Sequence, residues 1–274
     1  MPGSSSTKEI GPAMLIGREQ RFHPGYSALE KTYISCFGVP VVGLRIRART
    51  ISKLLPSNLK PSRVLDAGSG PGVITFLLAR RFPKAEVMGV DCDPGAVEAS
   101  RRIAEDGRFE KVSFAAGNLL SLPVDERFDL VTCVDILEHI TDDVAAVSSL
   151  SGAVRPGGTL LLHVPALYRR YPLWSKKLNF DVPTHVRPGY ELEEIVAKVR
   201  ATGLSVVSFG HTFGFLETLA NNLGYMITRA EKRNKVLYAL AFPWLNLLAW
   251  FGSGCRPEKL GAGVYVLATK PVGG

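Results

Sequence analysis

The sequence predicts an α/β fold, an open and mostly parallel sheet covered by helices on both faces, and three observations predict it. From residue 63 onward short apolar runs alternate with segments of helical period, the pattern of successive βαβ units. The first run passes through a glycine-rich turn, Asp66-x-Gly68-x-Gly70-x-Gly72, directly into a helix, as at the first strand-to-helix junction of such sheets. At 274 residues and 46% hydrophobic content, the chain has enough apolar surface for one large, elaborated domain.

The elements follow in order. Arg63 to Ala67 reads as the first strand and Gly72 to Phe82 as its helix. Glu86 to Asp91 is the second strand, and Pro94 to Glu105 a helix with Asp93 as N-cap, whose side chain can accept an unpaired amide of the first turn. Lys111 to Ala116 and Phe128 to Val134 are the third and fourth strands, and Asp142 to Val154 is a helix. Thr159 to Val164 is the fifth strand, entered through the turn Pro156-Gly157-Gly158. A helix over Glu191 to Ala201, a strand over Leu204 to Phe209 and a last strand over Gly263 to Thr269 complete the alternation. The expected organisation is a loose tail over 1–20, a helical cap over 21–60, the sheet domain over 61–210 and 262–272, and a hydrophobic helical insertion over 211–261.

Two segments stand outside the alternation. Val41, Leu44, Ala48, Ile51 and Leu55 recur at helical spacing while Arg45, Arg49 and Lys53 form a second stripe, so 41–55 reads as an amphipathic basic helix. Between the last two strands, VLYALAFPWLNLLAWFG (236–252) is almost wholly apolar, flanked by Lys232, Arg233 and Lys235 before it and Arg256 and Lys259 after it. A spanning helix needs about 20 apolar residues, and this shorter run contains Pro243 and Asn246, so it is not expected to cross a bilayer.

The formal charge of +8 points to an acidic partner surface, whether anionic lipid, nucleic acid or a phosphorylated substrate, without choosing among them. Cys36, Cys92, Cys133 and Cys255 lie far apart with no C-x-x-C pair, which disfavours a zinc site or a disulfide framework and suits a reducing cytoplasm. The stretch MPGSSSTKEIGPAMLIGREQ has no apolar region of signal-peptide length, so the expected location is cytoplasmic.

What the glycine turn holds follows from its spacing. A dinucleotide turn, G-x-G-x-x-G, would want glycine at position 73, where Val73 stands. Asp66, two residues before the first glycine, would repel a pyrophosphate and attract a ligand ammonium. Asp91 ends the second strand about twenty positions beyond the turn, where a carboxylate can accept both hydroxyls of a ribose. Asn118, just after the third strand, can hydrogen-bond an adenine edge.

With these residues in view the chain resembles the class I S-adenosylmethionine-dependent methyltransferases. VLDAGSGPG, VMGVDCDP, AAGNLLSLP, FDLVTCVDILEHI and RPGGTLLLHVP fall in that family's order at its usual spacing, over roughly residues 60–210 and the final strand. The resemblance implies a Rossmann-like, seven-stranded, mostly parallel sheet with its last strand antiparallel, and S-adenosyl-L-methionine as cofactor. It implies that Asp66, Gly68 and Gly70, with Ser69 and Gly72, line the methionine end. Asp91, beside Cys92, takes the ribose, Asn118 and Leu119 flank the adenine, and Asp135 is counted among the cofactor-binding residues. The family often has Asp where Asn118 stands.

The run Cys133 to Ile140 falls at the carboxyl end of the sheet, where open α/β folds place their chemistry. Asp135 or His139 can serve as general base toward an acceptor hydroxyl, although in-line positioning alone carries much of a methyl transfer. His185 is another candidate, in a D…H-x-R segment (Asp181, His185, Arg187) like that of the ubiquinone-biosynthesis branch. Asp135, Glu138 and His139, with His163 or His185 as a fourth ligand, also resemble the cluster with which some relatives hold a divalent ion. Such clusters are commoner than occupied sites, so no metal is expected. His23 and His211 carry no constellation.

The long connection after the fifth strand lies where the acceptor should bind, and Arg169, Arg170, Lys176 and Lys177 in it can hold a phosphate or a phospholipid headgroup. The apolar insertion must be covered by something. Either Trp244, Trp250 and Phe251 sink into an anionic surface at the inner membrane face, helped by the basic helix 41–55, or the segment packs over the sheet or a second subunit of a homodimer. Both options favour a hydrophobic acceptor, so the expected activity is O-methylation of a lipid-like, quinone-like or polyketide-like small molecule, as in lipid or secondary metabolite biosynthesis. Methylation of RNA or protein is the alternative. Against nucleic acid as a partner stand the lack of an N-P-P-Y-type motif after the fourth strand and of a recognisable RNA-binding module. A non-catalytic scaffold is a third reading, opposed by the intact glycine turn and Asp91.

Overall fold

In chain order the strands are β1 (Arg63–Ala67), β2 (Glu86–Asp91), β3 (Val112–Ala116), β4 (Phe128–Val134), β5 (Val154–Pro165), the short β6 (Tyr168–Arg170) and β7 (Lys176–Leu178), β8 (Ser205–Thr212) and β9 (Gly263–Thr269). They come from a computed structural model that describes residues 16–122, 127–171, 174–179, 184–229 and 235–272. Seven of them form one sheet in the order β3-β2-β1-β4-β5-β9-β8, while β6 and β7 pair by themselves. β9 runs antiparallel to both β5 and β8, the other pairs of the seven-stranded sheet are parallel, and β6 and β7 are antiparallel. The Pro156-Gly157-Gly158 turn expected before the fifth strand lies within β5 as an irregularity, where Val154 pairs with Phe128 and Thr159 with Leu130.

Period-two alternation places successive β5 residues in different cores. Leu160 and Leu162 join Leu65, Val131 and Val164 on one face, covered by α5 (Asp143–Ala153) and α6 (Leu192–Ala201). Leu161 joins Val64, Leu130 and Leu267 on the other, covered by α2 (Val42–Leu54) and α3 (Val73–Arg81). Ala48, Ile51 and Leu55 are the buried stripe of the helical cap, and truncating a side chain buried like Ile51 to alanine costs about 2–5 kcal/mol. Upstream, α1 (Ala28–Phe37) opens with a capping box in which Ser27 and Glu30 satisfy each other's backbone amides. As expected, Asp93 caps α4 (Pro94–Asp106), accepting from the Gly95 amide.

Two expectations are corrected. The loose tail was drawn too long, because residues 16–20 are packed: Ile16, Glu19 and Gln20 are buried and Gln20 Nε2 donates to the Pro71 carbonyl at 2.6 Å. Residues 1–15 lie outside the described residues. Two of the three residues in the basic stripe of α2 do not face outward for lipid, while Lys53 is exposed. Arg45 is fully buried over the Phe242 ring and Arg49 is buried with Nη1 3.3 Å from Asn246 Oδ1, because the insertion folds back onto α2. The insertion is helical, as expected, and consists of α7 (Phe215–Arg229) and α8 (Lys235–Gly252), with Pro243 and Asn246 accommodated inside α8. Phe242, Leu245 and Ala249 of α8 pack on Val42, Ile46, Phe213 and Ala220, so one face of the apolar run is core. Lys232, Arg233 and Asp181 fall outside the described residues.

Candidate functional site

The glycine turn leaves β1 at the carboxyl edge of the sheet. Gly68 and Gly70 have φ of 80° and 49°, a region that disfavours side chains. At Gly68 a Cβ would stand 2.3 Å from Ile136 Cγ1, so glycine lets the turn pass against the loop after β4. At Gly70 a Cβ would meet nothing within 4 Å, because open space lies over that residue. The Gly68 and Ser69 amides donate to the Val90 carbonyl, and the Gly70 amide donates to Asp91 Oδ2 at 2.7 Å. Asp91 Oδ1 accepts from the Asp93 amide, so the acid at the end of β2 is held rigidly beside the turn. Ser69 Oγ is buried with no hydrogen-bond partner among the described residues. The open space over Gly70, beside an oriented carboxylate, fits a polar nucleoside ligand such as S-adenosylmethionine.

Asp66 takes a different place from the one expected. Its carboxylate is buried under the turn, accepting from Thr75 Oγ1 at 2.6 Å and Thr132 Oγ1 at 2.9 Å, and burial pushes its pKa up to about 6 against those two bonds. It therefore braces β1, β4 and the start of α3 from beneath. Gly72 is the left-handed residue preceding α3. Asn118 caps a single turn, with Oδ1 accepting from Leu120, while Leu119 is buried in the core and Cys92 is exposed.

At the end of β4, Asp135 has a φ of 53°, uncommon for a residue with a side chain. Its amide donates to the His163 carbonyl, its Oδ1 lies 2.6 Å from His163 Nδ1, and its Oδ2 forms an ion pair with Arg47 Nε of α2 at 2.5 Å. Burial acts to raise this carboxyl, but Arg47 and His163 outweigh it and hold it below the ordinary carboxylate range. His163, fully buried, spends its other nitrogen on Thr212 Oγ1 at 3.0 Å. Asp135 and His163, expected as a candidate base and candidate metal ligands, thus satisfy each other. Arg47 was missed because the sequence marked α2 by the stripe Arg45, Arg49 and Lys53, which leaves Arg47 on another face.

The next turn carries Glu138 and His139. Glu138 is buried with Oε2 lacking a hydrogen-bond partner among the described residues, and burial followed by repulsion from Asp135 raises its pKa to about 9. At neutral pH it keeps its proton. His139 Nδ1 lies 3.1 Å from the Thr184 carbonyl, which requires a proton on Nδ1 and leaves Nε2 as the acceptor in the neutral ring. His185 meets His139 edge to face, ring centroids 4.7 Å apart, and burial, then His139, depresses its pKa. The two histidines, far apart in sequence, are joined because residues 184–190 are fastened over this turn. Arg187 pairs with Asp143 and donates to the Ile140 and Thr141 carbonyls, and Tyr190 Oη donates to Asp143 Oδ2 and the Leu137 carbonyl. Among the described residues, Glu138, His139 and His185 each offer a ligand atom within 4.8 Å of the others, a grouping that could receive a cation, and it includes neither Asp135 nor His163.

Of the basic residues expected to hold an acceptor phosphate, Arg170 is taken by Glu258 and Arg169 is buried between the rings of Tyr171 and Tyr225. Lys176 and Lys177 are exposed, each near a tyrosine ring. A cavity of about 490 Å³ is lined by Thr212 together with Lys53, His211, Glu217, Arg256 and Tyr265.

A family model described as a methyltransferase domain matches residues 59–201. The trans-aconitate 2-methyltransferase of Methylobacterium radiotolerans is 32% identical over 105 residues, which is 38% of this chain and 38% of that protein. The shared stretch is thus well under two thirds of the relative's length. Among solved structures, the Haemonchus contortus phosphoethanolamine N-methyltransferase 2 in complex with S-adenosyl-L-methionine superposes with a TM-score of 0.59 at 17% identity, covering 90% of this chain and 61% of that one. The geranyl diphosphate C-methyltransferase of Streptomyces coelicolor superposes with a TM-score of 0.57 at 16% identity, covering 93% and 88%. These likenesses speak for the fold, across proteins whose names carry different acceptors.

Proposed function

The chain belongs to the class I S-adenosylmethionine-dependent methyltransferases, and from that premise we propose that it methylates an oxygen of a hydrophobic, lipid-like small molecule at or near a membrane. The observation that carries the cofactor assignment is the open space over Gly70, with the Gly70 amide fixed to Asp91. Asp91 and the Ser69 hydroxyl are the groups that would hold the nucleoside and the amino-acid part. Bound there, S-adenosylmethionine supplies an electrophilic methyl group on a sulfonium sulfur. Asp135, engaged by Arg47 and His163, shapes the edge and leaves the proton to the histidines. His139 Nε2, oriented by the Thr184 carbonyl, accepts the acceptor hydroxyl's proton, with His185 packed against it. Neutral Glu138 beneath them adds no negative charge that would oppose deprotonation of the acceptor.

Isothermal calorimetry with S-adenosylhomocysteine tests the first half. The intact chain should bind, and Asp91→Ala should weaken binding at least about tenfold, the scale of losing hydrogen bonds made by a charged group. No heat of binding, or binding of NADH in its place, overturns the assignment. Incubation with methyl-tritiated S-adenosylmethionine and separate lipid, RNA and protein fractions tests the second half. The label should enter the organic phase, and label confined to RNA or protein replaces the acceptor proposed here.

A further inference from the structure

The insertion hides one face of α8 and displays the other. The hidden face is fixed to the protein: Phe242, Leu245 and Ala249 lie in the core, Asn246 faces Arg49, and the Ala239 carbonyl accepts from Tyr33 Oη at 2.6 Å. The displayed face carries Val236, Leu240, Trp244, Leu247 and Phe251, spaced three or four residues apart, with Leu240 69% and Trp244 73% exposed. Trp250 stands beside Phe251 and is also exposed, and α7, packed along α8, adds exposed Leu223 and Met226. The 18 residues of α8 include no acid. Exposed Lys235 begins the helix, and exposed Arg256 and Lys259 follow it.

We propose that this face of α8 docks on an anionic lipid bilayer, with the helix lying in the plane of the headgroups. Its length of about 27 Å at 1.5 Å per residue approaches that of a spanning helix, but crossing would tear Phe242, Leu245, Ala249 and Asn246 from their partners. Lying flat keeps those contacts and buries only the outward stripe, with the two tryptophans at the depth their amphipathic rings favour. Charge selects lipid over a second copy of the chain. In a two-fold contact along α8, which carries no acid of its own, Lys235 would meet either its own counterpart or Arg256 and Lys259, with Glu30 of α1 the acid near Lys235, whereas anionic headgroups neutralise both ends. The same α2 helix meets α8 through Arg49 and the site through Arg47, so the docked face is one helix away from Asp135. The consequence, that the acceptor is drawn from the membrane, rests on the function proposed above, while the docking itself does not.

Flotation of the intact chain tests it, using vesicles of phosphatidylcholine alone and of phosphatidylcholine containing phosphatidylglycerol. The protein should float with the anionic vesicles and release at high salt. The variant Leu240→Ser, Trp244→Ser, Phe251→Ser should partition at least about tenfold less, the scale expected for removing large apolar side chains from the interface. Lys235→Glu with Arg256→Glu should lose the preference for phosphatidylglycerol. Calorimetry with S-adenosylhomocysteine on each variant reports whether the sheet domain is intact; should the triple variant fail to fold, the charge variant decides. The proposal is overturned if the unaltered chain stays at the bottom with both vesicles or if the folded variants float as well as it does. It is equally overturned if the protein is a dimer that the triple variant converts to a monomer with flotation unchanged. Loss of S-adenosylhomocysteine binding by the unaltered chain would instead sink the methyltransferase reading and leave the docking standing.

Discussion

Arg47 of the helical cap and Asp135 at the end of β4 form an ion pair with Nε and Oδ2 2.5 Å apart, joining a helix outside the βαβ alternation to the edge of the sheet. The pair accounts for the persistence of a non-glycine residue at a φ of 53° at that edge, since surrounding contacts over-determine it.

Replacing Arg47 by Met leaves the Asp135 carboxylate largely buried with His163 alone, which should cost about 1–3 kcal/mol at neutral pH by urea denaturation. The folded pKa of Asp135 lies below its ordinary 3.8, so the stabilisation is present above that value and is lost as pH falls through the folded pKa. The difference between parent and variant should therefore shrink below pH 3.8. A difference that stays constant down to acid unfolding is incompatible with the pair.

Glu138→Gln probes the opposite case. The folded pKa of Glu138, about 9, lies above its ordinary 4.5, so its contribution is fully present below 4.5 and is lost as pH rises toward 9. Gln copies the protonated side chain and has no proton to lose. Between these limits the parent should lose up to about 1 kcal/mol per pH unit more than the variant, read as urea midpoints at several pH values. Parallel pH profiles for the two proteins would show that Glu138 is ionised in the fold.

Two glycines of one turn should respond in opposite ways to alanine. Gly68→Ala drives a methyl into Ile136 and should destabilise by about 1–3 kcal/mol, the usual cost of overpacking. Gly70→Ala meets only open space, so its stability cost should stay near 1 kcal/mol, while the methyl intrudes on the proposed ligand space and weakens S-adenosylhomocysteine binding at least about tenfold. Thermal melts paired with calorimetry separate the two effects. Unchanged affinity in Gly70→Ala would place the ligand elsewhere.

His139→Ala should lower the methyl-transfer rate by about 10²–10⁴-fold, the range for a general base, with S-adenosylhomocysteine affinity unchanged. His185→Ala should lose less, because His185 packs on the His139 ring and has no role here in accepting the proton. Since the His185 pKa is depressed below 6.5, that ring stays neutral at physiological pH and adds no charge to oppose His139. Single-turnover rates with the lipid fraction measure both. A larger loss at His185 reverses the two roles.

Much of the sheet was legible in the chain. β1, β2, β4 and β9 occupy the ranges read from apolar runs, because strands buried on both faces need continuous Val, Ile and Leu whatever packs on them. The Gly68 and Gly70 turn and the Asp93 cap were legible for stereochemical reasons local to a few residues. The candidate site was legible as a set of residues and not as an arrangement. His139 and His185 met through the Arg187 and Asp143 pairing, whereas Asp135 and His163 left the proposed cation cluster for each other and Arg47.

The sequence by itself determined the alternation of strand and helix, the family and the existence of one amphipathic basic helix and one almost wholly apolar segment outside that alternation, since periodicity and turn chemistry act over short stretches of chain. Only the tertiary structure decided which stripe faces what. Arg45 and Arg49 look like a solvent stripe until α8 covers them, and α8 looks like uniform core until Leu240 and Trp244 are left outside. A helical period reports that two faces differ, but burial of either depends on a partner that lies far away in the chain, and that partner is found only on folding.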